Sequence, residues 1–146
     1  MAVALADTVK RDLTDAMRSG DRDRVGRLRL VLSELQKAAK EGSDDELAVL
    51  RRERKRRLDA AQQFRDAGRD ELAASEEEEA ELIGAYLPAE LSDEELRSLV
   101  EQAVADSGAS SSKDMGLVMK TVMPAVGGRA DGRRVSAQVK EVLTGA

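Results

Sequence analysis

The sequence predicts an all-helical protein built as two helical blocks, an N-terminal four-helix domain over 1–89 and a C-terminal three-helix domain over 90–146. Three observations predict it. Apolar residues recur at spacings of three and four along most of the chain. The strand vocabulary is poor, with one isoleucine, one Phe and one Tyr, and no alternating runs of Val, Thr and aromatics. The only two prolines, Pro88 and Pro124, stand at the ends of apolar-periodic segments.

The first helix is expected over 3–19, with Leu5, Val9, Leu13, Ala16 and Met17 at helical spacing and Gly20 as its stop. Asp21 caps the second, over 22–40, whose apolar positions are Val25, Leu28, Leu32, Leu35 and Ala39. Gly42 ends it. Ser43 and Glu46 have capping-box spacing for a third helix, which runs to Ala67 on Leu47, Leu50, Leu58, Ala61 and Phe64. Gly68 breaks it. The fourth helix spans 70–86, acidic in its middle and apolar at Leu82, Ile83 and Tyr86. Leu87, Pro88 and Ala89 form a hinge. Ser92 and Glu95 make a capping box for the fifth helix, with Leu96, Leu99, Val100 and Ala103 on its apolar face. After a serine-rich loop, Ser111 or Ser112 caps a sixth helix, which Pro124 and the Gly127-Gly128 pair end. Asp131 caps a seventh with Val135, Val139, Val142 and Leu143.

Composition excludes several chemistries. The 146 residues include no Cys and no His. Thiolate metal sites, a Cys nucleophile, imidazole ligands and a Ser-His-Asp triad are therefore out of reach. Phe64 and Tyr86, the only aromatics, occupy packing positions, so a base-stacking platform is absent. Asp7 interrupts the apolar start of the chain before a signal-length core forms. No apolar run approaches the roughly 20 residues that span a bilayer. The expectation is a cytoplasmic protein with no membrane partner, no metal and no cofactor.

Charge is uneven. The net charge is -5, yet from Ser112 onward 6 basic residues face 3 acidic ones. Gly128, Arg129, Ala130, Asp131, Gly132, Arg133 and Arg134 surround a helix start, where free N–H groups bind phosphate. Arginines there add charge-assisted contacts. One reading makes this corner, with Lys113 and Lys120, a contact for the RNA backbone. The other makes it a tight interhelical turn with solvated arginines. A second basic run lies at 51–57. Arg52, Lys55 and Arg56 share its outer side and suit phosphate contact. Arg54 falls on the apolar stripe, where it needs a carboxylate such as Glu78 or Glu81. Glu76 to Glu79 read as a solvated acidic patch, because four successive helical residues point around the circumference. Ser110 and Lys113 have Ser-x-x-Lys spacing, best explained by helix capping. Met115, Met119 and Met123 form a stripe assigned to the core, and Gly116 reads as a position of close packing or close backbone approach.

Taken together, several segments resemble the GatB/YqeY family in order along nearly the whole chain, and most closely its free-standing YqeY-like members. They are Leu28 to Ser33; Arg56-Arg57 with Ala60, Ala61, Phe64, Ala67-Gly68-Arg69 and Leu72; Glu81-Leu82; Tyr86-Leu87-Pro88 with Leu91-Ser92; Lys113-Asp114-Met115-Gly116 with Val118-Met119; and Gly128 to Gly132. The connection around Lys40 to Ser43 is shorter than the family's, and Glu90 replaces an expected amide. The resemblance implies a four-helix bundle followed by a three-helix bundle. It also implies kinship with the tail of the B subunit of the tRNA-dependent amidotransferase, a carbon–nitrogen ligase with glutamine as amido-N-donor. That tail engages tRNA and carries no chemistry. The expected function is a tRNA-binding accessory module without a catalytic site of its own. The alternative is an adaptor that docks on an aminoacyl-tRNA synthetase or amidotransferase subunit without touching RNA.

Overall fold

The computed structural model describes residues 4–145. Residues 1–3 and 146, which the expected first helix and the two expected blocks include, lie outside the described residues. Among the described residues there are seven α-helices and no strand: α1 (Leu5–Ser19), α2 (Arg22–Lys40), α3 (Glu46–Asp66), α4 (Asp70–Gly84), α5 (Asp93–Ser107), α6 (Met115–Val126) and α7 (Gly132–Thr144). A 3-10 turn over Ser112–Asp114 precedes α6. Among the same residues no helix is long and apolar enough to cross a membrane. The chain divides between Pro88 and Ala89 into two compact units, each with its own core.

In the first unit, Val9, Leu28, Leu35, Leu50 and Ile83 join α1, α2, α3 and α4 in one cluster. The start of α1 has no local side-chain cap. Its first amides are met from α3 instead: Leu5 and Ala6 each donate to the Glu46 carboxylate at 2.9 Å. This anion satisfies orphan N–H groups and faces the positive end of the helix dipole. It also corrects the expected capping box. Ser43 donates its N–H to the Ala38 carbonyl and so belongs to the closing turn of α2. Asp45 is the cap of α3, accepting from Ala48 N–H at 3.0 Å, which leaves the Glu46 side chain free for α1.

The α3–α4 hairpin corrects the apolar stripe. Its buried positions on α3 are Val49, Leu50, Glu53 and Ala61, whereas Leu58 is 39% exposed. Small side chains line the contact, with Ala61, Ala73 and Ala80 all buried. Alanine lets two helices approach closely, and a leucine at that seam would hold them apart. The α4 helix stops at Gly84, two residues before the expected end. Tyr86 then donates its hydroxyl to Asp12 of α1. Burial, and after it the Asp12 hydrogen bond and charge, raise the phenol above its ordinary pKa.

In the second unit, Ser92 and Glu95 form a full capping box for α5. The core is dominated by valines: Val100, Val118, Val122, Val126, Val135 and Val139 are fully buried beside Leu96. Two expectations change here. The α6 helix runs through Pro124 to Val126. The proline forfeits one bond to the carbonyl four residues back. Burial of Val126 and the Gly127 N–H bond to the Met123 carbonyl keep the last turn helical. The methionine stripe is also not the core: Met115 and Met119 are half-buried at its edge, and Met123 is 37% exposed.

Candidate nucleic-acid interface

The glycine-arginine segment between α6 and α7 is a knot of backbone contacts. Gly127 and Gly128 both take positive φ, 58° and 78°, and turn the chain sharply. Arg129 folds back on α6, donating from Nε to Val126 O at 3.2 Å and from Nη2 to Ala125 O at 3.1 Å. A guanidinium there satisfies orphan carbonyls at the negative end of the dipole. The Arg129 carbonyl accepts from Leu91 N–H at 2.8 Å. Asp131 caps α7 through Arg134 N–H at 2.9 Å. Arg134 Nη2 reaches Leu91 O at 3.0 Å and Asp93 Oδ1 at 2.9 Å. The segment therefore ties the start of α5 to the start of α7. Of its arginines, Arg133 alone is exposed and makes no ion pair among the described residues.

Lys113 lies elsewhere. It belongs to the 3-10 turn, which Ser111 and Asp114 cap reciprocally. Asp114 also accepts from Ser110 N–H at 3.0 Å, so Ser110 to Lys113 is a capping turn. The α6 helix, 12 residues or about 18 Å long, separates Lys113 from Arg129. These cations do not form one corner. What the structure brings together instead is one face of α6. It presents Lys120, and Lys113 is exposed in the 3-10 turn before it. Between them Gly116 is exposed, and a Cβ added there would meet open space. Gly116 is therefore not a packing glycine; the backbone behind it is open to solvent. Leu117, 48% exposed, and Met123 border the same face. The helix carries no acidic residue. Gly132 is likewise exposed with open space at its Cβ.

On α3, Arg52 and Lys55 are exposed, while Arg56 donates to the buried Glu53 at 2.8 Å. Arg57, which sequence reasoning missed, spans α3 and α4, as Arg65 also does. Arg57 faces Glu53, Glu76 and Glu79 at 3.5, 3.4 and 3.6 Å. Arg54 lies half-buried against Gly84, with its Nε 3.4 Å from where a Cβ would sit. The acidic run is not a solvated patch. Glu77 pairs with Arg65 at 2.7 Å, Glu78 with Arg27 at 2.5 Å, and Glu76 and Glu79 share Arg57. Four carboxylates pointing around one helix meet arginines from two neighbouring helices. The Glu79 carboxyl sits above its ordinary pKa because burial and the Glu76 charge outweigh the attraction of Arg57. Tyr86 braces α4 against α1, and Pro88 is exposed just beyond. Among the described residues no three Asp or Glu side chains are grouped to hold a metal ion.

Against known proteins, the model of the family described as "Yqey-like protein" matches residues 6–143. An uncharacterized protein of Schizosaccharomyces pombe is 34% identical over 89 residues, covering 58% of this chain and 72% of that protein.

Proposed function

The chain belongs to the Yqey-like protein family, and from that membership we propose that it is a tRNA-binding accessory module linked to tRNA-dependent amidotransfer, with no catalytic site of its own. The observation that supports this reading is the open basic face of α6. Lys120 is exposed on α6, a helix without acidic residues, beside an uncovered Gly116, and Lys113 is exposed in the 3-10 turn that precedes it. A phosphate–sugar backbone fits such a surface, since lysines neutralise phosphates and a bare glycine admits close approach. Arg133 at the start of α7 supplies a further unpaired cation. Affinity is modest and steeply salt-dependent, because the chain as a whole is acidic.

The test is a titration of the full chain with total tRNA at two salt concentrations. A Lys113→Ala, Lys120→Ala, Arg133→Ala variant should bind more weakly and flatten the log–log salt slope by roughly three units. Unchanged affinity and slope in a variant with an unchanged melting curve refutes the reading. Leu117 and Met123 on the same face favour a second reading, in which the unit docks on a synthetase or amidotransferase subunit. That contact would persist at high salt and survive nuclease treatment.

A further inference from the structure

A groove in the first unit, separate from the α6 face and independent of the RNA reading, lacks the partner that its chemistry calls for. It lies between α2 and the α3–α4 hairpin. Its floor is apolar, made by the buried Val31, Leu50 and Ile83. Leu30 stands at its rim, 58% exposed, and Leu82 is half-buried beside it. Leu30 and Leu82 carry the apolar floor out to the rim, so covering them would remove further apolar area from water.

The walls carry more acid than base. Glu34, Glu53 and Glu79 line the groove with Arg27 and Arg57. Arg27 is held by Glu78 at 2.5 Å. Arg57 is divided among Glu53, Glu76 and Glu79, none closer than 3.4 Å. Glu53 finds its short bond outside the groove, with Arg56. Glu79 shares the Arg57 guanidinium at 3.6 Å and faces the Glu76 carboxylate, and Glu34 makes no ion pair among the described residues. Burial, and after it the Glu76 charge, raise the Glu79 pKa against the attraction of Arg57 and Arg27. A group that fits must bring a cation at its tip and an aliphatic stem for the floor. Arginine and lysine side chains have this build.

We propose that this groove is a docking site for a partner protein, which inserts an arginine or lysine flanked by an apolar residue. The cation meets Glu34 and Glu79, and the apolar neighbour covers Leu30.

Ile83 is the only isoleucine in the chain, so selective methyl labelling of the full protein gives one signal from the groove floor. The probe is an alanine-based helical peptide with a leucine and, four residues on, an arginine. Its controls are the same peptide with neutral citrulline for arginine, and free n-butylguanidinium. The arginine peptide should shift the Ile83 signal saturably and bind roughly tenfold tighter than the citrulline peptide. A Glu34→Gln, Glu79→Gln variant with an unchanged melting curve should lose that preference. The proposal is overturned by no saturable shift, by equal binding of the two peptides, or by a preference that survives in the double variant. Binding of n-butylguanidinium as tight as the peptide also overturns it, in favour of a site for small free cations.

Discussion

The two units solve the same packing problem with different means. In the second, six fully buried valines and Leu96 hold three helices together. Its ion pairs are few among the described residues: Arg134 with Asp93, and Arg97 with Glu101 one turn along α5. In the first, the α3–α4 hairpin buries alanines, which remove little apolar area, and Arg57, Arg65 and their carboxylates pair across it. Ion pairs cross the seam where small side chains line it, and bulky β-branched residues fill the seam of the second unit. Both units keep open cations, Arg52 and Lys55 in the first and Lys113, Lys120 and Arg133 in the second.

The strongest break of this comparison is in the cores. Leu50→Ala and Leu96→Ala each remove a fully buried side chain and should cost about 2–5 kcal/mol, read by denaturant unfolding of the full chain. Equal costs would mean that both units rest on apolar cores despite their different charge patterns. Next is the ionic seam. Glu53, 5% exposed, bridges Arg56 and Arg57, so Glu53→Gln should cost about 1–3 kcal/mol. A neutral outcome would show that the pairs of Glu53 within α3 add nothing to the hairpin's stability.

The arginines of the second unit sharpen the contrast. Arg134→Ala loses hydrogen bonds to Leu91 and Asp93 and should cost about 1 kcal/mol, whereas Arg133→Ala should stay within about 0.5 kcal/mol. Thermal melts of the two variants decide it, and tRNA binding should follow the opposite order. Gly116→Ala adds a methyl group into open space near the start of α6 and should stabilise by about 0.5–1 kcal/mol. A loss of tRNA affinity in that variant would mark close backbone approach at Gly116.

The smallest effect is in pH. Glu79 binds its proton more tightly folded than unfolded, so its contribution is fully present below its ordinary value of 4.5 and is lost as pH rises through the raised one. Glu79→Gln should therefore gain stability relative to the parent on going from pH 4 to pH 7, followed by melting temperature. A parent that gains instead would mean that Arg57 dominates at Glu79.

The helices themselves were legible. The second helix occupies the expected 22–40, and Ser92 with Glu95 caps α5 as their spacing demands. Such features depend on residues within one or two turns. The misreadings share a cause. Ser43 had capping spacing, but Asp45 does the capping and Glu46 serves a helix that begins 41 residues earlier. Arg57 reaches Glu76 and Glu79 of α4, a pairing across 19 residues or more that no local pattern announces. Among the candidate site residues, Arg52, Lys55, Lys113, Lys120 and Arg133 face solvent, whereas Arg129 and Arg134 are spent on carbonyls that no local pattern announces.

The sequence by itself determined the all-helical class, the positions of most helix ends, and the absence of histidine and cysteine chemistry. Each follows from residue identity or from periodicity over a few turns. Only the tertiary structure decided which charges are free. Arg134 meets Leu91 across 43 residues, and Arg27 meets Glu78 across 51. An arginine is solvated or buried in a bond according to which backbone carbonyl or carboxylate the fold brings within about 3 Å, and that distance is set by how the helices pack.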